Sequence, residues 1–514
     1  ELLKLGFGKK IAQLVYDGKY GEAYTLWGEG MTTHQDPLKG QEAMIRTMWE
    51  RLTEAAEQYN EPGRFTALIG YEWTSSPGGN NLHRNVVFRD GKDEADQVIP
   101  FSNYDSSNPE DLWAWMQAYE EKTGGQVLAI PHNGNLSNGL MFDDVTFSDE
   151  KLDRAYAEQR MRWEPVYEVT QMKGDGEAHP ALSPNDEFAD YGTWDKGSFG
   201  PEPKTAAMLP REYAREAYKR GLKYEESLGA NPFKFGMIGS TDSHTSLATT
   251  EENNYFGKAT PGEPSADEDR FQEKITGYLQ EPGGPDITIR HFQTLSSGLA
   301  AVWATDNTRE AIWDALNRKE VYASTGTRMT VRVFAGWDFE EPEVQRPDFA
   351  ATGYVRGVPM GGDLSDAPDG KTPTFMIRAL RDVDGANLDR VQMVKGWMDA
   401  KGELHEQVYD VLCSDDRAVN DQHRCDKPVG NTVNVEKATY TNNIGDALMM
   451  AWWQDPEFDP KQRAFYYVRV LEIPTPRWTT YDAAFFGVDL PEGVDPTHQE
   501  RAYTSPIWYS PTKG

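Results

Sequence analysis

An α/β domain followed by a β-rich module is the fold class that the sequence predicts, on three observations. Between Arg64 and Gly326, short apolar runs alternate with stretches of helical period, the pattern of sheet strands and the helices that cover them. Beyond Met329 the helical period gives way to short β-type runs punctuated by Gly and Pro. The chain has 514 residues, 38% hydrophobic and 12% aromatic, which is enough for a large core and for more than one domain. The predicted division is residues 1–328 for the α/β part and 329–514 for the β-rich part.

Taken in order, Phe65-Thr66-Ala67-Leu68-Ile69 leads into Gly70-Tyr71-Glu72-Trp73, and Val86-Val87-Phe88 follows a Gly-Gly-Asn-Asn turn. A helix is predicted from Pro109 to about Lys122, with Asn108 as its N-cap, Glu110 and Asp111 in its first turn and Gly124-Gly125 as its stop. Val127-Leu128-Ala129-Ile130 then ends in Pro131-His132-Asn133, and Val166-Tyr167-Glu168-Val169 ends in Thr170-Gln171-Met172-Lys173. After a helix from Arg211 to Leu228, the run from Phe233 to Gly239 ends in Ser240-Thr241-Asp242-Ser243-His244. A last helix, about Arg309 to Lys319, leads to Val321-Tyr322-Ala323-Ser324, and no long helix is expected after it. Two stretches rich in Gly, Pro and acids, 182–205 and 249–290, interrupt this pattern and read as lids or rims over a site.

With 52 basic and 83 acidic residues the formal net charge is −31, a field that repels phosphate backbones and anionic lipid surfaces. Nucleic acid is therefore not an expected partner. No apolar run is long enough for a membrane span, and no signal peptide is read in the first segment. Gly-x-Gly-x-x-Gly after a strand, a Walker loop and a Gly-x-Ser-x-Gly elbow are all missing, so dinucleotide, phosphate-loop and serine hydrolase chemistry lack a starting point. The only cysteines, Cys413 and Cys425, lie in a polar loop. They are either a disulfide made in an oxidising compartment or two free surface thiols.

Side chains placed just after a strand converge at the carboxyl-terminal rim of parallel α/β folds. Glu72, His132, Asp242 and His244 all hold that position, and His83, at the start of the next apolar run, is able to reach the same rim. Three imidazoles and two carboxylates suit zinc, manganese or iron better than the hard ions that prefer oxygen shells. Each residue alone has an ordinary structural explanation. Recurrence at one offset is what makes the set a candidate metal site. Arg84, Lys173 and Arg328 are candidates to clamp substrate oxygens beside Asn81, and His179 to protonate a leaving group. Their structural alternatives are surface charges for Arg84 and Arg328, a salt bridge of Lys173 with Glu168 or Asp175, and a plain loop histidine for His179.

Several of these segments also resemble a family. They are Gly70-Tyr71-Glu72-Trp73-Thr74, the run from Pro77 to Asn85, Pro131-His132-Asn133-Gly134-Asn135, Val169 to Asp175 with His179-Pro180, Ser240 to His244, Thr325 to Met329, and Gln499 to Tyr509. Together they resemble the DUF3604 family over nearly the whole chain, and that family is similar to the polymerase and histidinol phosphatase (PHP) superfamily. The resemblance implies a distorted (β/α)7 barrel and two or three metal ions that hydrolyse phosphoesters. It makes Glu72 a carboxylate bridging two ions, gives His83 and His132 to one, Asp242 to the other, and His244 to a third. The superfamily's His-x-His after the first strand and its Asp-His after the second do not occur in this chain, so the barrel is expected to be incomplete at its N-terminal side, with about two units upstream missing. A small anionic ester is the implied substrate, and a periplasmic or extracellular location the implied compartment. The alternatives are a glycan-active enzyme with paired carboxylates about 5 to 9.5 Å apart, and a non-catalytic binding protein on a degenerate metal site.

Overall fold

The computed structural model describes residues 6–512 other than 33–35, 37, 246, 248 and 259–262. Before the first strand stands an 18-residue helix, Glu42–Tyr59, that the apolar pattern did not announce. Its Trp49 is buried edge-on against Tyr71, with ring centroids 6.0 Å apart, which fixes the helix on the first sheet. Pro109–Thr123 forms as expected, with Asn108 Oδ1 accepting from Glu110 N and Gly124 closing it in the left-handed region.

The strands of the first part are β1 (Ile69–Trp73), β2 (Arg84–Phe88), β3 (Val127–Pro131), β4 (Val166–Gln171), β5 (Gly174–Asp175), β6 (Gly236–Gly239), β7 (Leu299–Val302) and β8 (Val321–Ser324). The protein is a mixed α/β chain, as predicted, but its described strands form several sheets and none closes into a barrel. β1, β2 and β3 make an antiparallel sheet, β4 pairs parallel with β6 and antiparallel with β5, and a single parallel bridge from His132 to Glu168 joins the two groups. The reason for the first antiparallel pair is the connection. Between Trp73 and Arg84 the chain has a one-turn 3₁₀ helix, Pro77–Gly79, where a parallel pair would need a crossover of a dozen residues or more. Gly79 has φ 85°, and a Cβ there would lie 2.4 Å from the backbone of Gly200, so only glycine permits this turn to meet the 182–205 stretch.

In the C-terminal part, strands Thr330–Gly336, Gly357–Pro359, Thr374–Leu380 and Leu448–Gln454 form one antiparallel sheet. It packs through Val333, Phe375 and Ile377 on Val391, Met393 and Val468 of a larger sheet. That larger sheet also contains β7 and β8, through pairing of β8 with Arg501–Thr504, so it runs across the predicted boundary at 328. Two helices, Phe349–Arg356 and Trp478–Phe486, occur where no long helix was expected; they have 8 and 9 residues.

The stretch 182–205 is wedged into the fold at Asp186 and Trp194. Asp186 accepts from Arg215 at 2.8 Å and from Arg469 at 2.6 Å, and Trp194 is 1% exposed. The stretch 249–290 docks on the last helix through Tyr255, stacked on Trp478 at 4.4 Å. Cys413 and Cys425 are joined by a disulfide. No helix among the described residues is long and apolar enough to cross a membrane.

Candidate metal centre

The antiparallel register builds the site. Trp73 at the end of β1 pairs with Arg84 at the start of β2, and Arg84 pairs with Pro131 at the end of β3. Glu72, His83 and His132 are thereby delivered to one end of the sheet, although they come from the end of one strand, the start of another and the end of a third. Glu72 Oε1 lies 2.7 Å from His83 Nδ1 and 3.3 Å from His132 Nε2. The imidazoles are buried and stand edge-on, centroids 5.5 Å apart, while the Glu72 side chain is about two-thirds buried and opens to solvent on one side.

Two neighbours fix His83: Ser76 Oγ, 2.9 Å from its Nε2, and Asn81 Oδ1, which accepts from its backbone N–H at 3.1 Å. Burial opposes ionisation of Glu72, yet its contacts with His132 and His83 hold the carboxyl far below the usual range. Burial pushes His83 down, against the pull of Glu72. For His132 burial acts the same way but is outweighed by Glu72, Glu168 and Asp242, and its pKa rises.

The residues fit a metal. The three donor atoms all lie within 4.8 Å of one another. Of the three donors, His83 Nδ1 is buried without an aligned hydrogen bond, a cost that an ion would relieve. Two imidazoles with one carboxylate form a borderline donor set of the zinc, manganese or iron type.

Beside this trio is Asp242, in the left-handed region at φ 50° three residues after β6. Aspartate is among the non-glycine residues that enter this region most readily. Its carboxylate accepts from Lys173 and from Gln171 Nε2 at 2.9 Å, and pairs with Lys258 Nζ at 3.0 Å, which donates to the Asp242 backbone carbonyl, while His244 Nε2 lies 3.2 Å away. Gln171 also donates to Asn133 Oδ1 at 3.0 Å, and Ser240 donates to Glu168. Burial opposes the charge on Asp242, but Lys173 and Lys258 hold its carboxyl well below the carboxylate range. His132 and Asp242 feel each other's charge, as do Glu72 and Lys258, so the two groups form one electrostatic unit.

Of the five predicted ligands, Glu72, His83 and His132 come together as one trio, with Asn81 against His83, while Asp242 and His244 pair with each other beside Lys173. Lys173 pairs with Asp242, not with Glu168 or Asp175. The other three predicted residues are placed elsewhere. Arg84 is 2% exposed and its guanidinium is bound to Glu164 Oε1 at 3.0 Å and to Leu82 O, so it is neither a surface charge nor a group presented to a ligand. His179 contacts Asp195 at 3.4 Å and Tyr213, and Arg328 is exposed, 3.6 Å from Glu251. Lys258, Gln171 and Glu168 were not read as site residues. Gln171 and Glu168 lie on β4, in the segment that leads to the predicted residue Lys173, and that was the available signal. For Lys258, inside the 249–290 stretch, there was none.

These features define a mixed α/β protein with a candidate transition-metal cluster where its strands end. The family model described as a protein of unknown function (DUF3604) matches residues 19–511, and the chain belongs to that family. Comparison with curated proteins and with solved structures gave no match.

Proposed function

We propose that the chain is a metal-dependent hydrolase of small anionic esters, phosphoesters first. The observation that supports this most is the convergence of Glu72 Oε1, His83 Nδ1 and His132 Nε2 on one solvent-facing point, with the ammonium groups of Lys173 and Lys258 in the same electrostatic unit. Divalent ions of the Zn, Mn or Fe type, two or three in this reading, supply a hydroxide near neutral pH and offset charge that develops on the ester. Glu72, His83 and His132 would hold the first, with Ser76 and Asn81 fixing His83. Asp242 and His244 would serve the others. Lys173 and Lys258 would orient the anionic oxygens.

Kinship with the PHP superfamily belongs to the same proposal and rests on the motif resemblance. A periplasmic or extracellular location belongs to it as well, supported by the Cys413–Cys425 disulfide. The glycan reading needs a carboxylate pair free of imidazoles, whereas Glu72 has two against it. The test is turnover of an aryl phosphate by metal-loaded protein: Glu72→Gln lowers it by about 100-fold or more. Turnover equal to the unmodified chain would refute the proposal, and no turnover by either would favour a binding protein.

A further inference from the structure

A second group of ligand-type side chains lies where the 249–290 stretch meets the C-terminal strands. Glu252 opens the 3₁₀ turn Glu252–Asn254, His498 ends the two-residue strand Thr497–His498, and Glu500 precedes the strand Arg501–Thr504. His498 Nε2 lies 3.4 Å from Glu252 Oε1 and 3.1 Å from Glu500 Oε1. The side chains are 9%, 9% and 5% exposed for His498, Glu252 and Glu500.

Each carboxylate has its other oxygen held by the protein. Glu252 Oε2 accepts from the backbone N–H of Trp478, and Glu500 Oε2 from Thr325 Oγ1 and, at 3.3 Å, from Tyr191 OH. Tyr191 also stacks on the His498 ring, which sets its plane. Of the facing atoms, Glu252 Oε1 and His498 Nε2 are buried without an aligned hydrogen bond. This is the arrangement in which outer contacts orient ligands toward a common point.

We propose that Glu252, His498 and Glu500 form a second cation site, for a divalent transition ion of the Zn²⁺ type. Donors about 2.1 Å from a tetrahedral ion are about 3.4 Å from one another, close to the 3.1 and 3.4 Å separations from His498 Nε2. The competing arrangement is a protonated His498 between two carboxylates. There a single N–H at Nε2 is shared between two carboxylate oxygens, 3.1 and 3.4 Å away. One imidazole and two carboxylates neutralise a dication, and a water completes the shell. The ion would tie the 249–290 stretch to the last strands, and so fix the segment that carries Lys258 to Asp242. The role is structural and uses none of the ligands of the first cluster.

The experiment uses full-length protein stripped with a chelator, given Zn²⁺ alone, desalted and analysed for metal per chain. In a Glu72→Gln/His132→Gln background, which takes two ligands from the first cluster, zinc is still bound, and adding His498→Gln lowers it by one equivalent per chain with the circular dichroism spectrum retained. Glu252→Gln, which keeps the shape of the side chain, carries the same test should His498→Gln not fold. Zinc absent from the background protein, or undiminished by both second-site substitutions, overturns the proposal. Failure of the Glu72 centre reads differently, because the unmodified chain and the Glu72→Gln/His132→Gln protein would then bind equal amounts.

Discussion

Lys258 Nζ lies 3.0 Å from Asp242 Oδ2, the oxygen that Lys173 also takes. Two ammonium groups meet one carboxylate at a place where a dianionic ester would bring negative charge. Burial and the charge of Lys173 push Lys258 down to about 8, still mostly protonated at neutral pH. Lys258→Met is expected to lower kcat/KM on an aryl phosphate by about 10- to 100-fold, the value of one charge-assisted hydrogen bond, chiefly through KM. Bound metal stays unchanged. Steady-state kinetics with metal analysis checks this, and an unaltered KM would remove Lys258 from the substrate's path.

Arg84 gives the opposite expectation. Its guanidinium and the Glu164 carboxylate are each 2% exposed, and Trp113 Nε1 donates to the same carboxylate at 2.9 Å. Removing the cation leaves a buried charge whose remaining ionic partner is Arg160 at 3.3 Å, so Arg84→Met is expected to cost about 3 kcal/mol, the low end for a broken buried pair. Urea denaturation measures it, and the folded fraction should turn over normally. A stable variant without activity would return Arg84 to the substrate.

Acid should attack the wedge at 182–205. Burial works against the Asp186 carboxylate, but the charges of Arg469 and Arg215 hold its pKa far below the usual value. The native chain therefore binds fewer protons here than the unfolded one, whose Asp titrates at about 3.9. The contribution is complete above that value and drains as pH falls below it. The stability gap between the unmodified chain and Asp186→Asn is expected to narrow by about 1 kcal/mol between pH 7 and pH 3. A gap that stays constant across that range would mean that Asp186 is not the charged partner.

The candidate set was legible because its members stand near the ends of apolar runs, Glu72 inside β1, His132 directly after β3 and Asp242 three residues after β6, a placement that survives whatever direction the strands take. The direction itself was not legible. Five buried residues such as Val127–Pro131 are apolar on both faces and carry no mark of parallel or antiparallel pairing. In a parallel sheet His83, at the start of β2, would stand at the far end from Glu72; the antiparallel turn through Pro77–Gly79 is what brings them together. Arg84 was misplaced for a related reason. Its neighbour His83 turns toward Glu72, while on the strand its own side chain faces the opposite way, into Glu164. Lys258 reaches Asp242 from an irregular stretch whose path follows from tertiary contacts such as Tyr255 on Trp478, and no local period records those. The closed barrel implied by the resemblance does not appear among the described strands, which pair as separate open sheets.

The central claim is that Glu72, His83 and His132 share a metal ion. Anomalous diffraction from crystals grown with Zn²⁺ or Mn²⁺, recorded above and below the metal's absorption edge, tests it most directly. The predicted result is a peak about 2.0 to 2.2 Å from the facing atoms of these three side chains, lost in Glu72→Gln. Metal-loaded crystals with no peak between them, and with Glu72 still in contact with both imidazoles, would contradict it.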